Sequence, residues 1–481
     1  MLSAFQLLDA LSEEGLQWFA LNGTERTCIG GTVLIEEGVP APALFLVLEG
    51  LFEVRLDSTD GQRLATLGPG EIAGDISLLE QAAATATVAA LETSLVLELS
   101  QPLLREKLGA DPSFSAGFHR GLALLNARRL RQTLARLGSQ RKPAAGRHEM
   151  TVAPDKLSAA QGHFKQLMSR ADAAAIKNGG KPPPEIVTEC QDAFVRFYEM
   201  IDDEIGDASS LSPDQRVEAG LRIQRELLPY LLMTETAERF YSKPRGYAGD
   251  YLTIEFIYKN TPTGSGRLGP LVDSMFLNTP SAVAVRNRRG LMGGEISRVL
   301  ENATGTARVM SLACGPAREV FDVFEQIGDP ERMQATLVDI DDEALELVAR
   351  RRDEAGLESQ ITLVSGNLIY LAIGRQKLDV PPQDFIYSIG LIDYFNDRFV
   401  IKLLNWIHSR LKPGGKVMLG NFHPRNRTKG LMDHVMDWKL IHRTEEDMDR
   451  LYQASAFARP CTRIRFEEQG INLFAECIKS L

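Results

Sequence analysis

The sequence of 481 residues has little of what marks several protein classes. No apolar run approaches the roughly 18 residues that a membrane-spanning helix needs. Its five cysteines are scattered without a CxxC pair, which opposes a zinc site or a disulfide framework and favours a reducing compartment. Acidic residues outnumber basic ones by 64 to 54, and the resulting net charge of −10 opposes non-specific nucleic-acid binding.

The amino terminus lacks the basic residues with which a secretory signal begins. Residues 1–18, MLSAFQLLDALSEEGLQW, contain acids and no basic start, so the pattern opposes a secretory signal. Apolar residues at 44% and charged residues at 25% are typical of a globular protein, and the length predicts two or three domains. We therefore expect a cytoplasmic protein with no membrane span, no nucleic-acid partner and no bound metal.

The stretch RVMSLACGPARE, residues 308–319, combines an apolar strand, a turn of small residues and the start of a helix. Glycine lets a ligand approach the backbone, and a helix start offers free N–H groups. A lone glycine after a strand is more often only a turn, so this signal needs support. The next strand, 335–341, supplies it, because Asp339 stands where an acid can bond both ribose hydroxyls of a nucleoside.

Three further strands follow at 361–368, 384–395 and 416–422, the last after the turn LKPGG. The segment 463–479 alternates around Gln469 and Gly470, which predicts an antiparallel hairpin. With these landmarks, residues 290–481 resemble the class I S-adenosylmethionine (SAM) methyltransferases. The resemblance implies a Rossmann-like α/β domain with a seven-stranded sheet.

The same resemblance implies SAM as cofactor, S-adenosylhomocysteine (SAH) as product, and a site at the carboxyl ends of the strands. It places cofactor contacts at Ala313, Cys314, Gly315, Asp339, Ile340, Asn367, Leu368, Ser388, Ile389 and Gly390. The sequence departs from the family twice: the turn ACGPA has one glycine where three are frequent, and Asn367 replaces a frequent aspartate. A dinucleotide enzyme, opposed by the missing GxGxxG, and an inactive scaffold stay open.

The texture from Cys28 to Leu99 is different, with short alternating strands punctuated by glycines, as in an all-β barrel. The segment GEIAGDISLLE, residues 70–80, inserts one short helix. These features resemble the cyclic-nucleotide-binding domain of the Crp and protein-kinase regulatory type. The resemblance implies that backbone N–H groups at Gly74 would bind a cyclic phosphate and that Asp75 would bind the ribose.

The family then supplies an arginine that pairs with the phosphate, but Ala84 or Thr85 stands there in this sequence. Losing a charge-assisted partner costs about 1.5–3 kcal/mol, so we expect a degenerate nucleotide pocket. The domain would then be a structural or dimerising module, with cyclic-nucleotide binding or another small ligand as alternatives.

A long amphipathic helix is predicted over 112–137, with Phe118, Leu122 and Leu125 on one stripe that Leu130, Leu134 and Leu137 extend. In the Crp family the corresponding helix pairs two subunits, which implies a homodimer. A polar Pro/Gly linker follows instead of a helix-turn-helix, which opposes DNA binding.

Residues 155–240 are helical by pattern, and one helix begins at the cap Ser212-Pro213. The stretch SKPRGYAGDYLTIEFIYKN, 242–260, packs basic, aromatic and acidic residues around two glycines, as in a functional loop or lid, although a plain interdomain loop stays open. RGYAGDY beside such a domain resembles bacterial methyltransferases that make 3-hydroxy fatty acid methyl esters, which serve as quorum-sensing signals.

The acceptor determines what chemistry the site needs. A carboxylate acceptor is already anionic at pH 7 and needs only orienting cations and a pocket wall. A hydroxyl acceptor needs a base, and His423 after strand five is placed for that role. Tyr394 follows strand four, where the resemblance implies contact with the acceptor, and is the second catalytic candidate. A lone histidine is more often structural. The candidate substrate-binding residues are Arg245, Tyr247, Tyr251, Arg286 and Arg425.

The sequence thus predicts four segments: a cyclic-nucleotide-binding-like β-roll with its helix, a linker, a helical acceptor-binding or lid region, and a methyltransferase domain. Their predicted bounds are 1–140, 141–154, 155–289 and 290–481. We expect methylation of a small organic acid or fatty-acyl compound. The alternatives are a ligand-responsive regulator of the Crp type without methyl transfer, and a structural protein with two inert ligand domains.

Overall fold

The computed structural model describes most of the chain, namely residues 11–59, 62–80, 82–123, 125–126, 155–243, 245 and 248–481. These residues divide into two compact units. The first takes the described residues up to His148 and those from Lys243 to Tyr247, and the second takes the rest. No helix within the described ranges has the length and apolar character needed to cross a bilayer. The predicted domain bounds stay predictions.

The first unit holds, in its described part, two four-stranded antiparallel sheets with strand orders β1-β8-β3-β6 and β2-β7-β4-β5. The strands are β1 (Thr24–Cys28), β2 (Val33–Ile35), β3 (Ala43–Glu49), β4 (Phe52–Leu56), β5 (Gln62–Leu67), β6 (Ile72–Ala73), β7 (Thr87–Ala90) and β8 (Ser94–Ser100).

The inner faces of these two sheets bury a shared apolar core that includes Phe45, Phe52, Val88 and Val96. Gly50 makes the corner between β3 and β4, because its φ is +80° and a Cβ there would lie 2.1 Å from the Ser94 hydroxyl. The two features used to predict this barrel are therefore present: apolar side chains alternate along its strands, and a glycine with positive φ makes a corner between them.

Four helices accompany the sheets in the described part of this unit: α1 (Glu13–Asn22), α2 (Asp75–Glu80), α3 (Gln101–Ala110) and α4, which is helical at 112–123 and 125–126. The predicted stripe of α4 is present, and Phe118, Leu122 and Leu125 are buried. They pack in a cluster with Phe19 and Leu104 of the same unit, so this face of α4 is already covered. Residues 127–137, with Leu130, Leu134 and Leu137, lie outside the described residues.

The second unit contains a sheet of seven described strands in the order β11-β10-β9-β12-β13-β15-β14. The first five are parallel, and β15 runs antiparallel to β13 and β14. The predicted fold class is therefore confirmed. The strands are β9 (Ala307–Leu312), β10 (Met333–Asp339), β11 (Ile361–Ser365), β12 (Gln383–Ser388), β13 (Leu411–Phe422), β14 (Arg463–Phe466) and β15 (Asn472–Ile478).

Helices precede and connect these strands. The larger ones before the sheet are α5 (Asp155–Lys177), α6 (Pro184–Ile205), α7 (Pro213–Leu231), α8 (Glu235–Ser242), α9 (Tyr251–Lys259), α10 (Gly269–Leu277) and α11 (Pro280–Asn302). Those within the sheet region are α12 (Arg318–Gln326), α13 (Asp342–Glu354), α14 (Leu368–Ala372), α15 (Asp397–Arg410), α16 (Lys429–His434) and α17 (Glu445–Gln453).

The predicted cap at Ser212 is confirmed as a capping box with Gln215, and Pro213 occupies the first helical turn of α7. The helices from α5 to α11 do not form a core of their own. Most of their buried residues join one cluster with Phe422, Leu431 and Trp438, which follow or end β13, while the second half of α11 packs against the sheet. The helical region is thus packed onto the segment that leaves the carboxyl end of β13.

Arg443 holds the loops at that end of the sheet together. Its side chain is 2% exposed and pairs with Asp397 at 3.0 Å. It also donates to the carbonyls of Ile392 and Phe395 and to the side chain of Asn421. All three nitrogens of the guanidinium donate hydrogen bonds, so the loop after β12 is fixed to β13.

Replacing Arg443 should therefore be costly. We expect Arg443→Met to lower the free energy of unfolding by about 3–5 kcal/mol, because it leaves buried acceptors unpaired. Arg450 pairs with the same Asp397 but is 60% exposed, so Arg450→Met should cost less than about 1 kcal/mol. Urea unfolding followed by tryptophan fluorescence measures both, and equal losses would contradict the assignment.

Candidate functional site

The turn after β9 has an unusual backbone. Ala313, Gly315 and Ala317 all have positive φ, at +51°, +51° and +47°, although only one of them is glycine. A non-glycine residue in the left-handed region costs roughly 1–2 kcal/mol, and such strain concentrates at functional sites. An added Cβ on Gly315 would meet nothing within 4 Å, so space is open above the turn. The turn can therefore receive a ligand close to its backbone.

Asp339 joins this turn to the neighbouring strand. It ends β10, is 6% exposed, and accepts from the Gly315 N–H at 2.8 Å and from the Asp341 N–H at 3.0 Å. The Cys314 N–H also donates to the Val338 carbonyl at 3.1 Å. The carboxylate thus faces the turn at the carboxyl edge of the sheet, where a parallel sheet binds its ligands.

Burial raises the pKa of Asp339 to about 6, and the backbone N–H groups of Asp341 and Gly315 oppose that rise. Because the folded pKa is raised, the proton is bound more tightly in the folded state. The stability that this group contributes is therefore complete below its unfolded pKa of about 3.9 and is lost as the pH rises through about 6. A ligand that binds the ionised carboxylate of Asp339 should therefore bind best above a pH of about 6.

The residues predicted to contact the cofactor after β10 and β11 differ in burial and in their hydrogen-bond partners. Ile340 is half-buried and Leu368 is buried. The side-chain oxygen of Asn367 caps α14 by accepting from the N–H groups of Ile369 and Tyr370, at 2.9 and 3.3 Å. The side-chain oxygen of Asn367 is therefore used within the protein. The predicted contact of Asn367 with adenine stays a prediction, and the side-chain amide nitrogen would have to make it.

The end of β12 lies directly beside the turn. The Ser388 hydroxyl donates to the Leu312 carbonyl at 2.7 Å, which ties β12 to β9. Ile389 is half-buried, and Gly390 lies against the guanidinium of Arg288, whose Nη1 would be 2.8 Å from an added Cβ. The strand ends predicted from sequence therefore meet at one place on the sheet edge.

Sequence reasoning missed Arg288 and chose Arg286 from the same run. Arg286 donates to the Leu277 carbonyl at 2.7 Å, which ends α10, so its guanidinium has a structural partner. A signal for Arg288 existed. It lies three residues after Val285 and four before Met292, on the buried stripe of α11, whereas Arg286 does not.

Residues 248–259, which we name the covering segment, lie across the ends of β9 and β10. The Tyr251 hydroxyl donates to Glu343 at 3.2 Å, in the first turn after β10. Glu255 forms a two-point ion pair with Arg318, at 2.8 and 2.7 Å, in the first turn after β9. The predicted lid role of this segment stays a prediction.

The covering segment also contacts the loop after β12. The Tyr394 hydroxyl donates to the Ala248 carbonyl at 2.6 Å and accepts from Trp438 Nε1 at 3.0 Å. Burial raises the pKa of Tyr394 far above its ordinary value. The hydroxyl is therefore occupied and neutral, and its predicted catalytic role stays a prediction. Arg245 is half-buried, and Tyr247 lies outside the described residues.

His423 follows β13, two strands from β9. Its Nδ1 accepts from the Arg425 N–H at 3.0 Å, so Nε2 carries the proton and donates to Glu445 at 2.9 Å. Both ring nitrogens are thus engaged. Arg425 is exposed, pairs with Glu445 at 3.4 Å, and lies over the Phe466 ring. Their predicted roles as base and substrate cation remain untested.

The candidate nucleotide pocket of the first unit has the predicted cassette. Gly74 has φ +87°, and an added Cβ would lie 2.4 Å from the Ala43 carbonyl oxygen, so only glycine fits. Asp75 begins α2 and is buried. Ala84 packs against the barrel core and Thr85 is exposed, so neither supplies a cation to a phosphate. The predicted degeneracy of the pocket stays a prediction.

Gly249 limits how the covering segment can lie. Its φ is +80°, and an added Cβ would be 2.8 Å from both the Trp438 ring and the Tyr394 hydroxyl. Gly266 also has a positive φ, +67°, but has open space around it.

We expect Gly266→Ala to lower the free energy of unfolding by about 1 kcal/mol through backbone strain, and Gly249→Ala to lower it by about 1–3 kcal/mol more through the clash. Denaturant unfolding compares them; similar losses would show that the contact is unimportant.

Two family models match the chain. One is described as "Cyclic nucleotide-binding domain" and matches residues 26–111. The other is described as "Putative methyltransferase" and matches residues 246–475.

Individual relatives also match. The "Uncharacterized protein YnbC" of Escherichia coli (strain K12) is 25% identical over 235 residues, covering 46% of this chain and 38% of that protein. The chain spans less than two-fifths of the curated relatives that it matches.

Among solved structures, a "possible exported protein" from Bordetella parapertussis is 19% identical, with a TM-score of 0.43, covering 68% of this chain and 99% of that one. Magnesium protoporphyrin IX methyltransferase from Synechocystis PCC 6803, with bound SAH, is 10% identical, with a TM-score of 0.34, covering 42% of this chain and 87% of that one.

Proposed function

Since residues 26–111 match the cyclic nucleotide-binding domain and residues 246–475 match a methyltransferase family, we propose that the chain is a SAM-dependent methyltransferase. One observation carries the proposal: the Asp339 carboxylate is anchored beside the open, positive-φ turn of Gly315 at the carboxyl edge of the sheet. An acid at that position can accept from both ribose hydroxyls of an adenosyl group.

Methyl transfer from a sulfonium is an in-line displacement in which positioning supplies most of the rate enhancement. The turn at residues 313–315 would take the methionine half of SAM, Asp339 the ribose, and the chain at Asn367 the adenine. Ser388 to Gly390 would lie beside the departing methyl group. The covering segment would shield the reaction from water.

We propose a small organic acid or fatty-acyl acceptor, such as the carboxyl group of a 3-hydroxy fatty acid. One observation supports a carboxylate over a hydroxyl. His423, the predicted base, and Tyr394, the other predicted catalytic residue, have their polar atoms engaged by protein partners. A carboxylate needs neither, because it is anionic at pH 7. The aromatic pair of Phe240 and Trp438, 5.5 Å apart beside Tyr394, offers an apolar wall for an acyl chain.

The first unit is proposed to act in dimerisation or regulation, without binding a cyclic nucleotide. The position of the family's arginine is Ala84 or Thr85, which cannot pair with a phosphate. Since the described apolar face of α4 is covered within its own unit, a homodimer would need another surface, such as residues 127–137, for which the sequence predicts further apolar positions.

The cofactor site is tested by calorimetric titration with SAH. We expect Asp339→Ala to weaken SAH binding at least about tenfold, because each charged hydrogen bond contributes about 1.5–3 kcal/mol. Asp329→Ala is the matched control, since Asp329 caps the turn just before the other end of β10 and should leave SAH affinity unchanged. Wild-type affinity should also fall as the pH drops through about 6, where Asp339 gains its proton. Unaltered binding by Asp339→Ala would refute the site.

The first unit is tested by titrating the full chain with cAMP and with cGMP. We expect no binding heat at millimolar nucleotide and no change in SAH affinity when either is present, because the phosphate lacks its cationic partner. Micromolar binding of either nucleotide would show that the pocket functions without the arginine.

A further inference from the structure

Arg288 is a buried cation that forms no close ion pair with the described residues. It is 6% exposed, and its Nε has no hydrogen-bond partner. No carboxylate of the described residues lies within ion-pair distance of it. A buried charge without a close ion pair is unfavourable, and its unused Nε is available for a further acceptor.

The two arginines beside it make the contrast clear. Arg286 donates to the Leu277 carbonyl, and Arg289 pairs with Asp322 through two contacts of 2.5 Å. Three arginines therefore lie within one turn of α11, and two of them have protein acceptors. Only Arg288 of these three extends to the end of β12, where its guanidinium contacts Gly390.

Two buried acids feel the charge of Arg288 without forming a close ion pair with it. Its charge lowers the pKa of Glu319 and of Asp393, against a larger rise caused by burial. Glu319 accepts from the Tyr387 hydroxyl at 2.8 Å, and Asp393 accepts from the Phe422 N–H at 2.6 Å. The guanidinium also acts on the hydroxyl of Tyr258, a neutral group whose pKa burial raises to about 12. The planar fork of the guanidinium is thus available for an anion.

We propose that Arg288 binds a carboxylate at the carboxyl end of β12, supplied by the methionine end of the cofactor or by the acceptor. This inference rests on the proposed function, which places the departing methyl group beside Ser388 to Gly390 and the methionine half of the cofactor at the adjacent turn. Arginine suits the role because its fork matches the two oxygens of a carboxylate, and the buried setting strengthens the pair. Arg288 is therefore a binding residue and not a proton donor.

The test compares two ligands that differ in the carboxylate. SAH has an amino-acid end, whereas 5′-methylthioadenosine has the same adenosyl thioether without it. In calorimetric titrations, Arg288→Gln should weaken SAH binding at least about tenfold and change methylthioadenosine binding less than about twofold. Arg289→Gln, which removes the neighbouring paired cation, should leave both affinities unchanged. Arg288→Lys should give an intermediate SAH affinity, because it keeps the charge without the fork.

The acceptor arm uses the SAH-saturated protein titrated with 3-hydroxydecanoate. If Arg288→Gln leaves SAH binding intact but abolishes binding of this acid, the carboxylate is that of the acceptor. If Arg288→Gln changes neither titration, the inference is overturned while the proposed function stands. If the wild type binds neither SAH nor methylthioadenosine, both are overturned. Thermal unfolding shows whether each variant is folded. Arg288→Lys serves as the test variant if Arg288→Gln does not fold.

Discussion

The contact between the Asp339 carboxylate and the Gly315 N–H is the constraint on which the site depends. It joins the turn after β9 to the end of β10, and those two strands are neighbours in the sheet. The carboxylate is buried, so it is stabilised mainly by the two backbone N–H groups that it accepts from. One side chain therefore fixes the strained turn and at the same time presents an acceptor at the sheet edge.

The covering segment is attached to the same place by polar contacts. Glu255 pairs with Arg318 at the start of α12, and Arg351 donates to the Pro316 carbonyl within the turn. The turn is thus held from below by β10 and from the side by α9 and α13. An apolar core made by α5 to α11 and the chain after β13 supports these elements. Helices far apart in sequence therefore determine the geometry of a five-residue turn.

Much of this could be predicted from the sequence. Period-two apolar patterns and glycine spacing predicted the β-roll, and apolar strands at regular intervals predicted the seven-stranded sheet. Asp339 was predicted to lie at the sheet edge from its place at the end of an apolar strand, and it ends β10 there. Side-chain partners were harder to predict. The engagement of His423 by Glu445 and of Tyr394 by Ala248 depends on residues distant in sequence, whereas the cap formed by Asn367 is local. Arg286 and Arg288 differ only in which face of α11 they occupy, and the helical spacing that distinguishes them was present in the sequence.

The two alanines in the turn after β9 have a consequence for ligand association. A glycine-rich loop samples many backbone states when empty and must lose that freedom when a ligand arrives. Ala313 and Ala317 restrict those states, so most of the ordering occurs when the protein folds. Association with such a preformed cradle should involve a smaller entropic penalty, and its rate should depend on diffusion and access more than on loop rearrangement.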